Sequence, residues 1–132
     1  EIFFTCTTGG KEKLGQIWKY IPSRYEGTSD EKSSPAKLEL FFESNNSKSL
    51  DMCDNITVSP WGDVIVCEDG GGVDYLVGIK ADGSNYKIAK NSLNNSELAG
   101  ACFSPDGEIL FVNIYKPTIT LAITGPWDQF RS

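Results

Sequence analysis

A β-hairpin pattern that occurs twice constrains the fold of this chain more than any other feature. The stretch 54–70 alternates Ile and Val with polar residues, turns at Ser-Pro-Trp-Gly-Asp, and continues into a β-branched run at 64–67. Forty-five residues later, 104–112 repeats 59–67, with Ser, Pro and Gly identical and each later position acidic or apolar in both copies. A β-rich repeat of this length is typical of propeller blades, which have four strands and roughly 40–50 residues.

The length of the chain limits how much of a propeller it can form. A closed propeller needs about four or more blades, and 132 residues are too few for that. We therefore predict an all-β fold, an incomplete β-propeller of about two to three antiparallel four-stranded blades that is not closed. Residues 1–10 align with 63–72, which predicts that the chain starts partway through a blade.

These alignments predict a single partial propeller domain. Its predicted parts are a blade remnant at 1–43 with an inserted surface loop at 22–37, a complete blade at 50–90, most of a further blade at 96–127, and a tail at 128–132.

Composition and charge exclude several classes of protein. The net charge of −6 repels nucleic-acid phosphates, so we expect no nucleic-acid partner. No apolar run approaches the ~20 residues that span a bilayer, although a peripheral position on a membrane complex stays open. The four cysteines have no C-x-x-C spacing and the chain has no His, which argues against zinc. Two disulfides and four free thiols are both compatible with this spacing. Buried thiols are favoured because three of the cysteines lie in apolar runs.

The first residue is Glu1 rather than Met. We expect that a presequence or part of a larger precursor has been removed. An organelle such as a plastid and a secreted or periplasmic location both fit that expectation.

Polar residues at the ends of the repeated strands are the candidate functional residues. In a propeller the start of the innermost strand and the end of the second strand share a rim. Asp54 and Asn55 should therefore lie near the strand end Cys67-Glu68-Asp69, with Glu97 of the next blade at the same rim. Clustered carboxylate and amide oxygens suit Ca²⁺ or Mg²⁺, and the neighbouring Cys67 could extend the choice to iron. Alternatively these residues only form turns and cap their own backbone, which the spacing by itself favours.

Three motifs resemble the C-terminal part of the PhoX-type alkaline phosphatase family. They are DNITVSPWGDVIVCEDG, SELAGACFSPDGEILFVNI and AITGPW, and GQIWKY resembles the preceding blade of that family. The resemblance implies a six-bladed propeller that hydrolyses phosphomonoesters at calcium and iron ions on the channel axis. It also implies that Glu68 and Glu97 lie near such metals, with Asp54 and Asn55 as weaker candidates. Calcium is the first cofactor to consider, and iron the second.

Two functional hypotheses remain. The favoured one is a non-catalytic interaction or structural subunit of a larger assembly, because blade faces and strand edges that cannot close a ring need other protein subunits to cover them. An accessory subunit of an organellar or photosynthetic membrane complex is one such setting. The alternative is a fragment of a calcium- and iron-dependent phosphomonoesterase that needs further blades, since no Arg or Lys is placed to clamp a phosphate.

Overall fold

The computed structural model describes residues 1–130, whose strands form three antiparallel sheets in succession along the chain. Sheet 1 contains β1 (Ile2–Cys6), β2 (Gln16–Ile21) and β3 (Lys37–Glu43); sheet 2 contains β4 (Cys53–Val58), β5 (Val64–Glu68), β6 (Tyr75–Ile79) and β7 (Asn85–Lys90); sheet 3 contains β8 (Leu98–Phe103), β9 (Ile109–Ile114) and β10 (Ile119–Thr124). Within each sheet, every strand pairs with its sequence neighbours, as in a meander.

The helical content of the described residues is limited to two 3₁₀ helices, Ser29–Ser33 and Trp127–Gln129. The predicted all-β class is therefore confirmed, and none of the three sheets is closed into a barrel. Neither helix, within residues 1–130, is long or apolar enough to cross a membrane.

Sheet 2 lies between the other two sheets and is buried on both faces. All five residues of β5 are buried, because successive side chains point to opposite faces and both faces are covered. The face toward sheet 1 contributes Val64, Val66, Val77 and Ile79, which share a core with Ile17 of β2. The face toward sheet 3 contributes Cys67 and Leu76, which share a second core with Leu98, Leu110, Val112 and Ile114. The two cores fix the order of the sheets.

The two repeated hairpins share the same turn. The backbone N–H of Gly62 donates to the carbonyl of Ser59 at 3.0 Å, and that of Gly107 donates to Ser104 at 2.8 Å. Both glycines have a positive φ, 95° and 75°, which a residue with a Cβ rarely adopts. The identical Ser, Pro and Gly therefore encode the same turn in both copies.

The pairing register of the strand after the turn differs by one residue between the two copies. Val58 pairs with Val64, but Phe103, the counterpart of Val58, pairs with Leu110. The alignment at a shift of forty-five predicted Ile109 at that place. Because side chains alternate along a strand, a shift of one residue exchanges the two faces. The alignment is right for the turn and wrong by one residue for β9.

Sheet 1 leaves a large apolar face without cover from the described residues. Two cross-strand rows form it, Ile2–Tyr20–Leu38 and Phe4–Trp18–Leu40. These six residues are named the sheet-1 outer face. Their side chains point away from sheet 2, since Phe3 and Ile17, which alternate with them, pack in the core between sheets 1 and 2. Ile2 is 55% exposed and Leu38 is 57% exposed.

An aromatic cluster joins the turn between β4 and β5 to sheet 3. The ring of Trp61 stacks on Trp127 at 5.7 Å between centroids and meets Phe103 edge-on at 5.4 Å. In the predicted tail at 128–132, Phe130 stacks on Trp61 at 5.8 Å and on Tyr86 at 5.0 Å. The last two residues of that tail, 131–132, lie outside the described residues. The cluster lies at the end of β4 remote from Asp54 and holds sheets 2 and 3 together there.

A methyl group at Gly78 is expected to destabilise the aromatic cluster. A Cβ on Gly78 would clash with Cζ of Tyr86, whose hydroxyl donates to Asp63 at 2.7 Å. Because the ring must move, we expect Gly78→Ala to lower the free energy of unfolding by about 1–3 kcal/mol. Gly71→Ala is the matched control, since nothing lies within 4 Å of a Cβ there. Urea unfolding followed by Trp fluorescence measures both variants, and equal midpoints would contradict the prediction.

Candidate metal centre

Three carboxylates from different strands meet at one rim of the sheets. Asp54 is the second residue of β4, Asp69 directly follows β5, and Glu97 directly precedes β8. One oxygen from each lies within 4.8 Å of the oxygens of the other two. The antiparallel pairing of β4 with β5 brings the first two together, and the contact of β8 with β4 brings the third. We name these three residues the acidic triad.

A β-bulge directs the side chain of Asp54. The register between β4 and β5 shifts between Cys53 and Asn55, which leaves Asp54 as the extra residue. Bulges of this kind re-aim a side chain and interrupt the ladder locally. The Asp54 carboxylate accepts hydrogen bonds from Oγ1 of Thr7 at 3.3 Å and from Nδ2 of Asn55 at 2.6 Å. Sheet 1 therefore helps to position a group of sheet 2.

Asn55 positions its neighbours rather than adding an oxygen to the triad. Its amide nitrogen donates to Asp54, and its amide oxygen accepts the backbone N–H of Gly100 in β8 at 3.3 Å. The side chain thus links sheet 2 to sheet 3 beside the triad. Of the four residues predicted as ligands, the structure brings Asp54 and Glu97 together, with Asn55 next to them.

Glu68 faces away from the triad and is a structural residue of sheet 2. It is 2% exposed, and both of its carboxylate oxygens accept hydrogen bonds from the protein. The backbone N–H groups of Asp51 and Tyr75 donate to it at 3.0 and 2.9 Å, and Nζ of Lys87 forms an ion pair with it at 2.9 Å. Lys87 also lies 4.1 Å from the ring centroid of Tyr75. Glu68 therefore connects the start of β4, the start of β6 and β7.

Asp69 is the triad residue that the sequence interpretation placed at the rim but did not name as a ligand. Along β5 the side chains alternate, so Val64, Val66 and Glu68 share the face toward sheet 1. Cys67 belongs to the other face, toward sheet 3, and Asp69 follows it at the same phase. Because Glu97 belongs to sheet 3, the alternation identifies Asp69 as its neighbour. The period-two pattern of β5 was the signal that could have found it.

Repulsion and burial raise the pKa of Glu97. Desolvation is the largest cause, and the negative charges of Asp69 and Asp54 add to it. Among residues 1–130, no Lys or Arg forms an ion pair with a triad carboxylate. Nearby, the buried Asp74 also has a raised pKa, chiefly because of desolvation. Negative charges that converge in this way repel one another. A bound cation would relieve that repulsion.

The donor set of the triad is made of oxygen alone. Cys67 lies in the core between sheets 2 and 3, outside the group of ligand atoms. Burial raises the pKa of its thiol to about 12. Carboxylate oxygens without a thiolate or an imidazole fit Ca²⁺ or Mg²⁺ better than iron. All four cysteines, Cys6, Cys53, Cys67 and Cys102, are free, and the second and third are buried.

Comparison with known families identifies the chain. The family model of alkaline phosphatase PhoX matches residues 1–118, which include both repeated hairpins and the whole acidic triad. The chain belongs to the PhoX family. The resemblance that the hairpin motifs indicated is thus confirmed. No curated protein and no solved structure matches the chain.

Membership of the PhoX family makes this a phosphatase-like domain, and its geometry separates two groups of acids. Asp54, Asp69 and Glu97 converge with their oxygens facing one another, so they are the described groups arranged to hold a cation. Glu68 and Asn55 use their oxygens to hold strands in place. The two groups predict different responses to substitution.

Removing the charge of Glu68 is expected to destabilise the fold. Glu68→Gln loses the ion pair with Lys87 and places an amide donor among backbone donors, so we expect a loss of about 1–3 kcal/mol in the free energy of unfolding. Glu39→Gln is the matched control, because Glu39 pairs with Lys19 at 3.0 Å at a more exposed site and should cost about 0–1 kcal/mol. Chemical denaturation distinguishes them, and equal losses would contradict the structural role of Glu68.

Glu97 is expected to make stability depend on pH when no divalent cation is present. Its pKa is higher in the folded chain than the ordinary value of 4.5, so the folded state binds the proton more tightly. Stability should therefore fall as pH rises from 4.5 through the raised value. Glu97→Gln should flatten this dependence and be more stable at neutral pH. Asp74 contributes in the same direction to both proteins, so their difference isolates Glu97.

Thermal unfolding in EDTA across this pH range measures the effect. If the stability of Glu97→Gln depends on pH as steeply as that of the parent chain, repulsion within the triad is not the cause of this dependence.

Proposed function

We propose that this chain is a PhoX-family sheet array that binds a divalent cation, Ca²⁺ in the first place, and acts as a subunit of a larger protein assembly. In this proposal the isolated chain is an interaction subunit rather than a complete catalyst. The acidic triad is the single observation that carries the cation-binding part. The uncovered face of sheet 1 supports the interaction part.

The triad supplies part of a coordination sphere. Ca²⁺ takes 6–8 oxygen ligands at about 2.3–2.6 Å, and three carboxylates provide three to six of them. Asp54 is already oriented by Thr7 and Asn55, so one ligand needs no reorientation. The remaining positions would be filled by water or by groups from another part of an assembly.

A cation at this rim would connect the chain to phosphate chemistry. A bound divalent cation acts as a Lewis acid that neutralises the charge of a phosphoryl group. The residues of this chain would hold the cation, and the rigid pairing of β4 with β5 would fix two of its ligands.

The interaction role is supported by apolar surface. The sheet-1 outer face combines six large side chains, and Ile2, Phe4, Leu38 and Leu40 are each at least 41% exposed. Contiguous apolar patches of this kind mark sites of protein contact. We propose that another protein surface covers this face in the working assembly.

The second candidate function is a fragment of an active metallophosphatase that is completed by further sheets. Its support is the match of the family over residues 1–118. The two candidates differ in one measurement, the release of nitrophenol from p-nitrophenyl phosphate by the chain loaded with Ca²⁺. We expect no release above the buffer rate from the chain alone. Release that disappears in Asp69→Asn would favour the enzyme.

Neutralising Asp69 is expected to weaken cation binding. Asp69→Asn removes one of three carboxylates, so affinity for Ca²⁺ should fall at least tenfold, which corresponds to about 1.4 kcal/mol. Asp30→Asn, in the exposed 3₁₀ helix of the inserted loop, is the charge-matched control and should bind like the parent. Calorimetric titration with CaCl₂ measures all three proteins. Absence of binding by the parent chain at millimolar Ca²⁺ would overturn the proposal.

A further inference from the structure

The outer edge of β10 pairs with no strand among residues 1–130. Sheet 3 has the order β10-β9-β8, so β10 pairs with β9 on one side only. The hairpin of β8 and β9 repeats the hairpin of β4 and β5, which makes β10 the counterpart of β6. In sheet 2 the outer edge of β6 is paired with β7. Sheet 2 therefore shows the kind of strand that fits beside β10.

The sequence of β10 differs from the sequences of the last strands of the other two sheets. β3 carries Lys37, Glu39 and Glu43, and β7 carries Lys87 and Lys90. β10 reads ITLAIT and contains neither a charged residue nor a proline. Charges and prolines on an edge strand oppose pairing with a further strand, whereas an edge without them is a template for one. The composition of β10 is thus that of a strand suited to pairing on both sides.

The residues that directly follow β10 do not cover its edge. They form the 3₁₀ helix Trp127–Gln129 rather than a strand. Nε1 of Trp127 donates to the carbonyl of Glu108 at 2.7 Å, beside the end of β10 where Thr124 pairs with Ile109. The aromatic cluster therefore holds residues 127–130 at one end of β10 and leaves the length of the strand open.

An apolar groove of about 280 Å³ lies along the inner side of β10, between sheets 2 and 3. One wall consists of Ile119, Leu121 and Ile123, which face sheet 2 like their partners in β9. The other wall includes Leu93, which is 60% exposed, and Leu121 itself is 37% exposed. Among residues 1–130, Lys90 is the one charged side chain that lines the groove. The groove is therefore apolar, open to solvent and continuous with the free strand edge.

We propose that β10 accepts an extended segment of a partner polypeptide, which adds to sheet 3 as a fourth, antiparallel strand. Residues opposite one another in antiparallel strands share a face. Alternate side chains of the added strand, opposite Ile119, Leu121 and Ile123, therefore enter the groove and are apolar. The backbone hydrogen bonds provide affinity, and the groove selects the side chains.

Lys90 adds a charge preference at one end of the added strand. It pairs with Tyr75 at the start of β6, and this is the same end of the sheets as Ile119, the first residue of β10. An antiparallel strand ends where β10 begins. The partner segment is thus an alternating apolar strand with an acidic residue at its C-terminal end.

This inference goes beyond the proposed function and depends neither on cation binding nor on the sheet-1 outer face. A chain that binds such a segment in EDTA but binds no Ca²⁺ would contradict the metal centre alone. A chain that binds Ca²⁺ but no such segment would contradict strand addition alone. The two proposals therefore fail separately.

A synthetic peptide tests strand addition on the full 132-residue chain in EDTA. The labelled peptide alternates Val and Thr over the length of β10, six residues, and ends in Asp. We expect saturable binding by fluorescence anisotropy, weakened about tenfold in Leu121→Glu because a charge then lies in the groove. Leu38→Glu is the matched control, since Leu38 is 57% exposed on the sheet-1 outer face, and should bind like the parent chain. Far-UV circular dichroism should show the same β content in all three proteins.

Reversing the charge of Lys90 tests the end preference. Lys90→Glu should weaken binding of the peptide that ends in Asp by about twofold to fivefold, as expected for a partly exposed ion pair. A peptide that ends in Lys should bind this variant better than it binds the parent chain. The opposite ranking would overturn the assigned direction of the strand.

Methylating alternate backbone nitrogens of the peptide distinguishes strand addition from filling of the groove alone. Only every second N–H of a strand points toward a given antiparallel neighbour. One of the two alternate sets of methyl groups should therefore abolish binding, and the other should not. No binding by the parent chain, unchanged binding in Leu121→Glu, or equal effects of the two methylated sets would each overturn the proposal. A parent chain that dimerises through β10 without binding the peptide would assign the edge to a second copy and overturn it as well.

Discussion

The burial of sheet 2 on both faces is the constraint on which the rest of the structure depends. Every side chain of β5 is enclosed, one set by sheet 1 and the alternate set by sheet 3. An isolated sheet with two apolar faces is not stable in water, because each face must be removed from solvent to contribute about 25 cal/mol per Å². The same requirement applies to sheet 1, whose outer face is apolar and uncovered by residues 1–130.

The acids at the rim illustrate how alternation along a strand separates structure from chemistry. Glu68 and Asp69 are adjacent in sequence, yet one points into a network of backbone donors and Lys87, and the other toward Glu97. Both outcomes reduce the cost of placing carboxylates close together. For Glu68 the protein itself supplies the compensating donors and charge. In the acidic triad the pKa of Glu97 is raised instead.

Much of the fold follows from the sequence because its signals are local. Alternation of apolar residues, β-branched runs and the Ser-Pro-x-Gly turn predict the strands and the repeated turn, and these lie where expected. The pairing register of β9 could not be predicted from the sequence. The turn before β9 is one residue longer than its counterpart, and this extra residue does not alter the residue types from which the strand was predicted. The choice of Asp69 over Glu68 could not be predicted either. A position at the end of a strand does not by itself determine toward which face of the sheet a side chain points.

The sequence by itself determined the all-β class, the succession of sheets and the family, because each rests on patterns carried by neighbouring residues. It also determined that acids would gather at strand ends. Only the tertiary structure decided which acids meet, since Asp54, Asp69 and Glu97 are far apart along the chain and are joined by a bulge and by the contact of β4 with β8. Long-range packing sets those distances, and no local pattern contains them.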